Sequence, residues 1–321
     1  MNKLTVSASP HKHTHVTTQK IMLDVLIALV PALIASTIHF GLRALLLAFV
    51  CVASCVLSEY LSRLIMKRNN TISDLSAAVT GLILALNLPV TLPLWMAVLG
   101  SIIAIVVVKQ FFGGIGHNFA NPAMTARIIL MLCFASQMTS WRAPGAFGAD
   151  AVTTASPLAL LSDLENVDTL SLPSLWQMLI GARAGSMGET CILALLAGGI
   201  YLVARKVITP IIPLTFIGTV GVCMLFATHF DLTLTAYELL SGGLFLGAIF
   251  MATDYATSPI TPLGQVIFAV GCGLLTSAIR LWGSLPEGVS YSILLMNILT
   301  PHIDDLTRRK PFAPKKKEAK N

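Results

Sequence analysis

The sequence has 321 residues, of which 55% are apolar and 11% charged, with a mean hydropathy of +0.80. A soluble domain needs about 25% charged residues to cover its core, so these proportions exclude one. They indicate a polytopic membrane protein whose apolar runs have the roughly 20-residue length of bilayer-crossing helices. The net charge of +6 and pI of 9.1 trace to a juxtamembrane basic tail, a topology anchor that meets anionic lipid, and call for no nucleic acid.

Residues 1–20 are polar, with no apolar stretch followed by a small-residue cleavage site, and read as a cytoplasmic N-terminal segment and not a signal peptide. Ten apolar segments follow, spanning 21–40, 43–66, 73–88, 92–112, 121–136, 189–207, 211–228, 239–253, 262–282 and 288–303. The third, fifth and eighth are short and flanked by Pro, Asn or Gly. Such broken helices are tolerated in a bilayer only where the freed backbone faces protein or water. The spacing predicts an all-α protein of about ten transmembrane helices in two inverted five-helix halves, 21–136 and 189–303. An extracytoplasmic excursion, 137–188, separates them, and a basic cytoplasmic tail, 304–321, ends the chain. Five segments per half require inversion if the halves are related, and Asp74-Leu75-Ser76 opening segment three is matched by Glu238-Leu239-Leu240-Ser241 opening segment eight.

Threading the chain with its N-terminus inside leaves sixteen Lys and Arg on the cytoplasmic side, Arg63, Lys67, Arg68 and Lys109 among them. Arg43, Arg142, Arg183 and Arg280 fall on the other side. This asymmetry predicts two cytoplasmic termini, and the reading is a multi-pass protein of the bacterial cytoplasmic (inner) membrane. The six cysteines form no CxxC pair, and all but Cys191 lie in apolar stretches where they pack as small core residues. Neither they nor His117, in a polar loop without partner ligands at useful spacing, suggest a metal.

In segment five, Arg127 stands six residues inside an apolar run. Its charge costs at least about 2.5 kcal/mol at the bilayer centre unless it is paired or faces water, so an intramembrane partner or ligand is implied. Asn121, Thr125 and Arg127 could line one polar wall, serving either a buried network or a flavin or substrate contact. The excursion carries Asp150, Asp163, Glu165 and Asp168, an amphipathic helix over Leu175 to Ile180, and Trp141 and Trp176, which read as interface anchors. Asp254, ending a short helix, is either a turn cap or a buried carboxylate that could meet Arg127.

Gly185-Ser186-Met187-Gly188-Glu189-Thr190 opens segment six on the outer face. Ser186 or Thr190 could cap that helix, with Glu189 in its first turn. The same position also offers free N–H groups and a hydroxyl to a phosphate. The SxGxT pattern, GGIGHNFANPAMTARI at 113–128 and FMATDYATSP at 250–259 together resemble the RnfD/NqrB family of membrane subunits over nearly the whole chain. Length and the short N-terminus are closer to the RnfD branch.

The resemblance implies FMN in phosphoester linkage to Thr190, with Ser186 and Gly188 keeping the hydroxyl and glycine positions of the attachment motif; Glu189 stands where many such motifs have alanine. It further implies a second, noncovalent flavin such as riboflavin. It also implies membership of an Rnf-type translocase that couples electron transfer between reduced ferredoxin and NAD to sodium-ion or proton movement, with RnfA, RnfB, RnfC, RnfE and RnfG as neighbours and no catalysis by this chain alone. No Rossmann fingerprint or cysteine cluster appears, so nicotinamide and iron–sulfur chemistry fall to those neighbours. The competing class is a channel or secondary transporter for a small solute without a redox role, which composition and topology fit equally well.

Overall fold

The computed structural model describes residues 17–145, 156–161, 173–283 and 287–308. Asp150, Asp163, Glu165, Asp168, most of the N-terminal segment and the basic tail from 309 lie outside the described residues. Among those described, the regular structure is helical and no strand is present.

The helices in order are α1 (Thr18–Phe40), α2 (Leu42–Ile65), α3 (Ser76–Leu86), α4 (Leu94–Ile102), α5 (Pro122–Cys133), α6 (Ala135–Met138), α7 (Pro157–Leu160), α8 (Leu175–Ile180), α9 (Ile192–Ala204), α10 (Ile211–Ala227), α11 (Leu232–Leu240), α12 (Leu244–Leu246), α13 (Pro262–Trp282) and α14 (Val289–Thr307). A 3-10 turn, Ile72–Asp74, precedes α3, and π-helical turns extend α4 to Gln110 and α12 to Met251. Three helices, α1, α2 and α13, are long and apolar enough to cross a bilayer, and α11 with the extended α12 forms a fourth apolar unit bent by 61°. The apolar helices α3, α5, α9, α10 and the extended α4 are shorter.

Local chemistry accounts for the boundaries. Asn121 caps α5, its side chain accepting from the Ala123 and Met124 amides with Pro122 at the first position, and Thr261 and Pro262 open α13 in the same way. A capping box of Ser174 and Gln177 starts α8, and Gly181 at φ 104° ends it. The amphipathic helix expected over Leu175 to Ile180 is therefore present. Segment eight differs from its reading: a helix, α11, precedes the expected start, and the bend lies at Ser241-Gly242-Gly243, between α11 and α12.

Polarity is inverted relative to a soluble fold. Leu42, Phe49, Ile200 and Leu214 are each more than two-thirds exposed, whereas Glu59, Lys109, Arg127, Glu189 and Glu238 are buried. That arrangement suits hydrocarbon outside and a satisfied polar interior, and with the apolar helices it makes the chain a multi-pass membrane protein. Helix α1 packs on α9 and α5 on α14, while α2 lies along α3 and α4, and α10 along α13. Gly198 lets α1 and α9 approach so closely that a Cβ there would sit 2.2 Å from the Ala28 carbonyl oxygen.

Cys51, Cys55 and Cys272 are core residues as expected, but Cys133 is exposed on the last turn of α5. Trp176 is 64% exposed, consistent with an interface anchor, whereas Trp141 is buried at 7% and packs inside.

Candidate functional site

Helix α3 ends at Leu86 with carbonyls that no further turn can use. The 184–190 loop supplies the missing donors: the Gly188 amide donates to the Leu86 carbonyl at 2.7 Å and the Met187 amide to the Leu88 carbonyl at 3.2 Å. Gly188 is obligatory here, because a Cβ would lie 2.6 Å from the Leu86 Cβ. The Met187 carbonyl accepts from Ser36 Oγ at 2.9 Å and from Thr190 Oγ1 at 3.3 Å. The SxGxT loop is thereby sewn to α1 and α3.

Helix α9 begins at Ile192, after the loop, and its N-cap Cys191 makes no side-chain capping bond. Neither Ser186 nor Thr190 caps it, and Glu189 is outside its first turn; that part of the sequence reading is corrected. Ser186 and Thr190 are both fully buried, and Ser186 Oγ has no hydrogen-bond partner. An orphaned buried hydroxyl and, six residues further along the chain, a helix N-terminus without a side-chain cap are donors of the kind that suit a phosphate.

The loop faces a cluster of charge. Arg127 is 3% exposed; its Nη1 donates to Asn87 Oδ1 at 2.9 Å and Ser290 Oγ at 3.1 Å, and its Nη2 donates to Glu189 Oε1 at 2.9 Å and to Glu287 Oε2. One guanidinium thus joins α3, α5, the start of α14 and the 184–190 loop, using the fork geometry that lysine lacks. Its carboxylate partners are Glu189 and Glu287 and not Asp254, whose Oδ2 is engaged by Thr257 Oγ1 in the turn after α12.

Two carboxylates share that one cation. Burial pushes the Glu287 carboxyl up to about 7, opposed by Arg127 and reinforced by Glu189. Beside them, Arg183 donates to the Glu189 carbonyl and, at closer range, the Leu240 carbonyl, and Arg280 holds Glu238 Oε2 at 3.2 Å and the Ser241 carbonyl at 3.1 Å. Burial draws the Arg183 guanidinium down to about 10, with Glu189 opposing and Arg280 assisting, so it remains a cation at neutral pH.

The expected polar wall of Asn121, Thr125 and Arg127 divides. Thr125 Oγ1 donates to its own helix at the Asn121 carbonyl, 2.9 Å away, and Asn121 reaches the Met251 carbonyl at 3.4 Å. Asn121 instead lines a separate, open cavity together with Lys109, Asn118, Phe250, Asp254 and Tyr255. Asp254 caps the turn after α12: its backbone carbonyl accepts from the Ser258 amide at 3.0 Å and its Oδ2 from Thr257 Oγ1 at 3.3 Å. There are therefore two polar centres. One surrounds Thr190 and Arg127, and the other is a hollow at the opposite end of α5.

Sequence reading missed Glu287, Asn87 and Ser290 as partners of Arg127. Glu287 was visible in principle, as a lone carboxylate directly before an apolar segment.

Comparison with known proteins places this architecture. The model of the NQR2, RnfD, RnfE family matches residues 5–313. The chain is 46% identical to the D-subunit of the Na(+)-translocating ferredoxin:NAD(+) oxidoreductase complex of Acetobacterium woodii, over 99% of this chain and 98% of that protein. It is 41% identical to the D-subunit of the proton-translocating ferredoxin:NAD(+) oxidoreductase complex of Clostridium ljungdahlii, over 98% of each. It is also 35% identical to the D-subunit of the ion-translocating oxidoreductase complex of Escherichia coli K12, over 97% of this chain and 99% of that protein. With a family match over nearly all its length, and relatives that align end to end with it, the chain belongs to the NQR2, RnfD, RnfE family.

Proposed function

We propose that this chain is the flavin-carrying membrane subunit of an ion-translocating ferredoxin:NAD oxidoreductase, with FMN esterified through its phosphate to Thr190. The observation that carries the reading is the SxGxT loop itself, in a chain 46% identical over 99% of its length to the D-subunit of such a complex. When bound, FMN supplies the electron-transfer chemistry, and the protein positions it. In this reading Ser186 Oγ, the first amides of α9 and the nearby Arg183 receive the phosphate. Arg127 acts through Glu189 to fix the loop. Because Thr190 is fully buried, loading it requires the 184–190 loop to lift from α3, breaking the hydrogen bonds that the Met187 and Gly188 amides donate to the Leu88 and Leu86 carbonyls. Mass spectrometry of the peptide spanning Ser186 to Cys191, from protein made together with its flavin-attaching enzyme, should show the FMN adduct; an unmodified peptide refutes the assignment.

In the same proposal the chain crosses the bacterial cytoplasmic membrane ten times in two inverted halves, with both termini inside and RnfA, RnfB, RnfC, RnfE and RnfG as neighbours. Three features support the inversion. First, α1 meets α9 and α5 meets α14, so first helices pair with each other and last helices likewise, as a pseudo-two-fold axis in the membrane plane arranges them. Second, Lys109 at the end of the extended α4 donates to Ser76 Oγ at the start of α3, and Arg280 near the end of α13 donates to the Glu238 and Ser241 carbonyls at the end of α11. Third, the threading sets those two clamps on opposite faces. Cysteine labelling should find residue 150 accessible only from the outer side; labelling from the cytoplasm would overturn the threading.

The cavity at Asn121 is the proposed place of a second, noncovalent flavin. Its apolar walls with a few convergent polar groups suit a planar heterocycle. Asn121→Ala should lower the flavin released on denaturation and leave the covalent adduct intact, whereas equal release from both proteins would empty the cavity of this role.

A further inference from the structure

Arg63 lies in the last turn of helix α2, and Lys67 and Arg68 follow just beyond its end. Arg63 is 9% exposed, and its Nε is buried without a hydrogen-bond partner. The carboxylate one turn back on the same helix face is Glu59, the natural partner at four residues' spacing. Glu59 is already saturated: Oε1 accepts from Thr71 Oγ1 at 2.8 Å and Gln110 Nε2 at 3.0 Å, and Oε2 from Lys109 Nζ at 2.9 Å. Among the described residues no carboxylate pairs with Arg63. Arg63, 9% exposed as a residue and with its Nε buried and unpartnered, thus has no counter-charge among the described residues, an arrangement that favours a bound anion. Gln110 Oε1, also buried and unpartnered, could accept one of its five N–H groups but supplies no charge.

The surroundings identify the anion. The guanidinium points at the Gly113-Gly114 turn, both residues at positive φ (+124° and +105°), and a Cβ on Gly114 would stand 2.2 Å from Arg63 Nη2. Glycine therefore lets the turn pack directly against the guanidinium, with the Gly113 and Gly114 amides engaged on the Gln110 and Lys109 carbonyls. Around this point the surface is apolar and aromatic: Leu64 and Ile65 are 62% and 79% exposed, Phe111 and Phe112 62% and 51%, and the Phe112 and Phe119 rings pack 4.9 Å apart. Lys67 and Arg68 follow directly at the helix end, both exposed. A collar of exposed aromatics and aliphatics below a group of cations is the signature of a bilayer interface. A soluble anion would make no use of the collar.

We propose that Arg63, with Lys67 and Arg68, binds the headgroup phosphate of an anionic phospholipid whose acyl chains lie over Leu64, Ile65, Phe111 and Phe112. The guanidinium fork takes two phosphate oxygens and the exposed cations hold the remaining charge. The inference rests on the membrane-spanning reading and is independent of any flavin.

The test uses the full-length purified chain in detergent, followed by native mass spectrometry and thermal unfolding with added phosphatidylglycerol, phosphatidylcholine or inorganic phosphate. Wild type should retain phosphatidylglycerol adducts and be stabilised by that lipid alone. Arg63→Gln should weaken this binding about tenfold or more, as expected for the loss of a charge-assisted contact. Arg63→Lys should keep part of it. Should Arg63→Gln fail to fold, the exposed double variant Lys67→Gln/Arg68→Gln still decides, with an expected loss of about fivefold per charge removed. Undiminished phosphatidylglycerol binding in the variants that fold overturns the site. Equal stabilisation by inorganic phosphate overturns the lipid assignment, as does equal retention of phosphatidylcholine.

Discussion

Thr190→Val is expected to abolish the covalent flavin completely while leaving the fold intact. The side chain is fully buried, and valine reproduces its shape. The lost hydroxyl makes one bond, to the Met187 carbonyl at 3.3 Å, and that carbonyl keeps its shorter bond from Ser36 Oγ. The stability change should therefore stay within about 1 kcal/mol, the net worth of a single hydrogen bond. In-gel flavin fluorescence of the denatured protein reads the first expectation and thermal unfolding the second. Thr190→Ser keeps the nucleophilic oxygen and should retain part of the fluorescence. Full fluorescence in Thr190→Val would place any covalent flavin elsewhere and refute its assignment to Thr190.

Arg127→Met is expected to be the most destabilising single substitution in the chain. It removes the only cation bonded to Glu189 Oε1 and Glu287 Oε2 among the described residues, leaving two buried carboxylates side by side. Breaking a buried ion pair costs about 3 to 5 kcal/mol, chiefly because an uncompensated charge is left behind. Neutralising the carboxylates as well, with Glu189→Gln and Glu287→Gln added to Arg127→Met, should recover most of the loss, whereas Arg127→Lys should recover little because a single ammonium cannot span Asn87, Ser290 and both carboxylates. Thermal unfolding of the purified variants measures this series. If the triple variant is no more stable than Arg127→Met, the cluster is held by packing and not by charge. If FMN is held at Thr190 as proposed, flavin occupancy should follow the same order, since Glu189 adjoins Thr190; occupancy that ignores the series would separate Arg127 from the proposed flavin site.

Much of this was legible in sequence because it is written in local chemistry. Helix α13 runs from Pro262 to Trp282 as its apolar pattern and the Thr261-Pro262 start predict, and α8 follows from Ser174, Gln177 and the terminal Gly181. The matched openings at Asp74 and Glu238 are likewise visible as strings of residues. That each meets a basic residue from the end of a following helix, Lys109 in one case and Arg280 in the other, is not, since 33 and 42 residues separate the partners.

The sequence by itself determined that this chain lives in a bilayer and where its apolar helices lie, because burial in hydrocarbon requires long unbroken apolar runs and local caps, both of which are contiguous in the chain. It also determined that Arg127 must have a partner, because a charge inside an apolar segment is costly wherever it sits. Only the tertiary structure decided which partner. Glu189 and Glu287 lie 62 and 160 residues away, and Asp254, equally acidic, is turned to a different hollow. The burial of Thr190 and the start of α9 at Ile192 were decided the same way: the end of α3 needed amide donors, the loop supplied them, and residues that looked like a helix start became a strap across another helix's last turn.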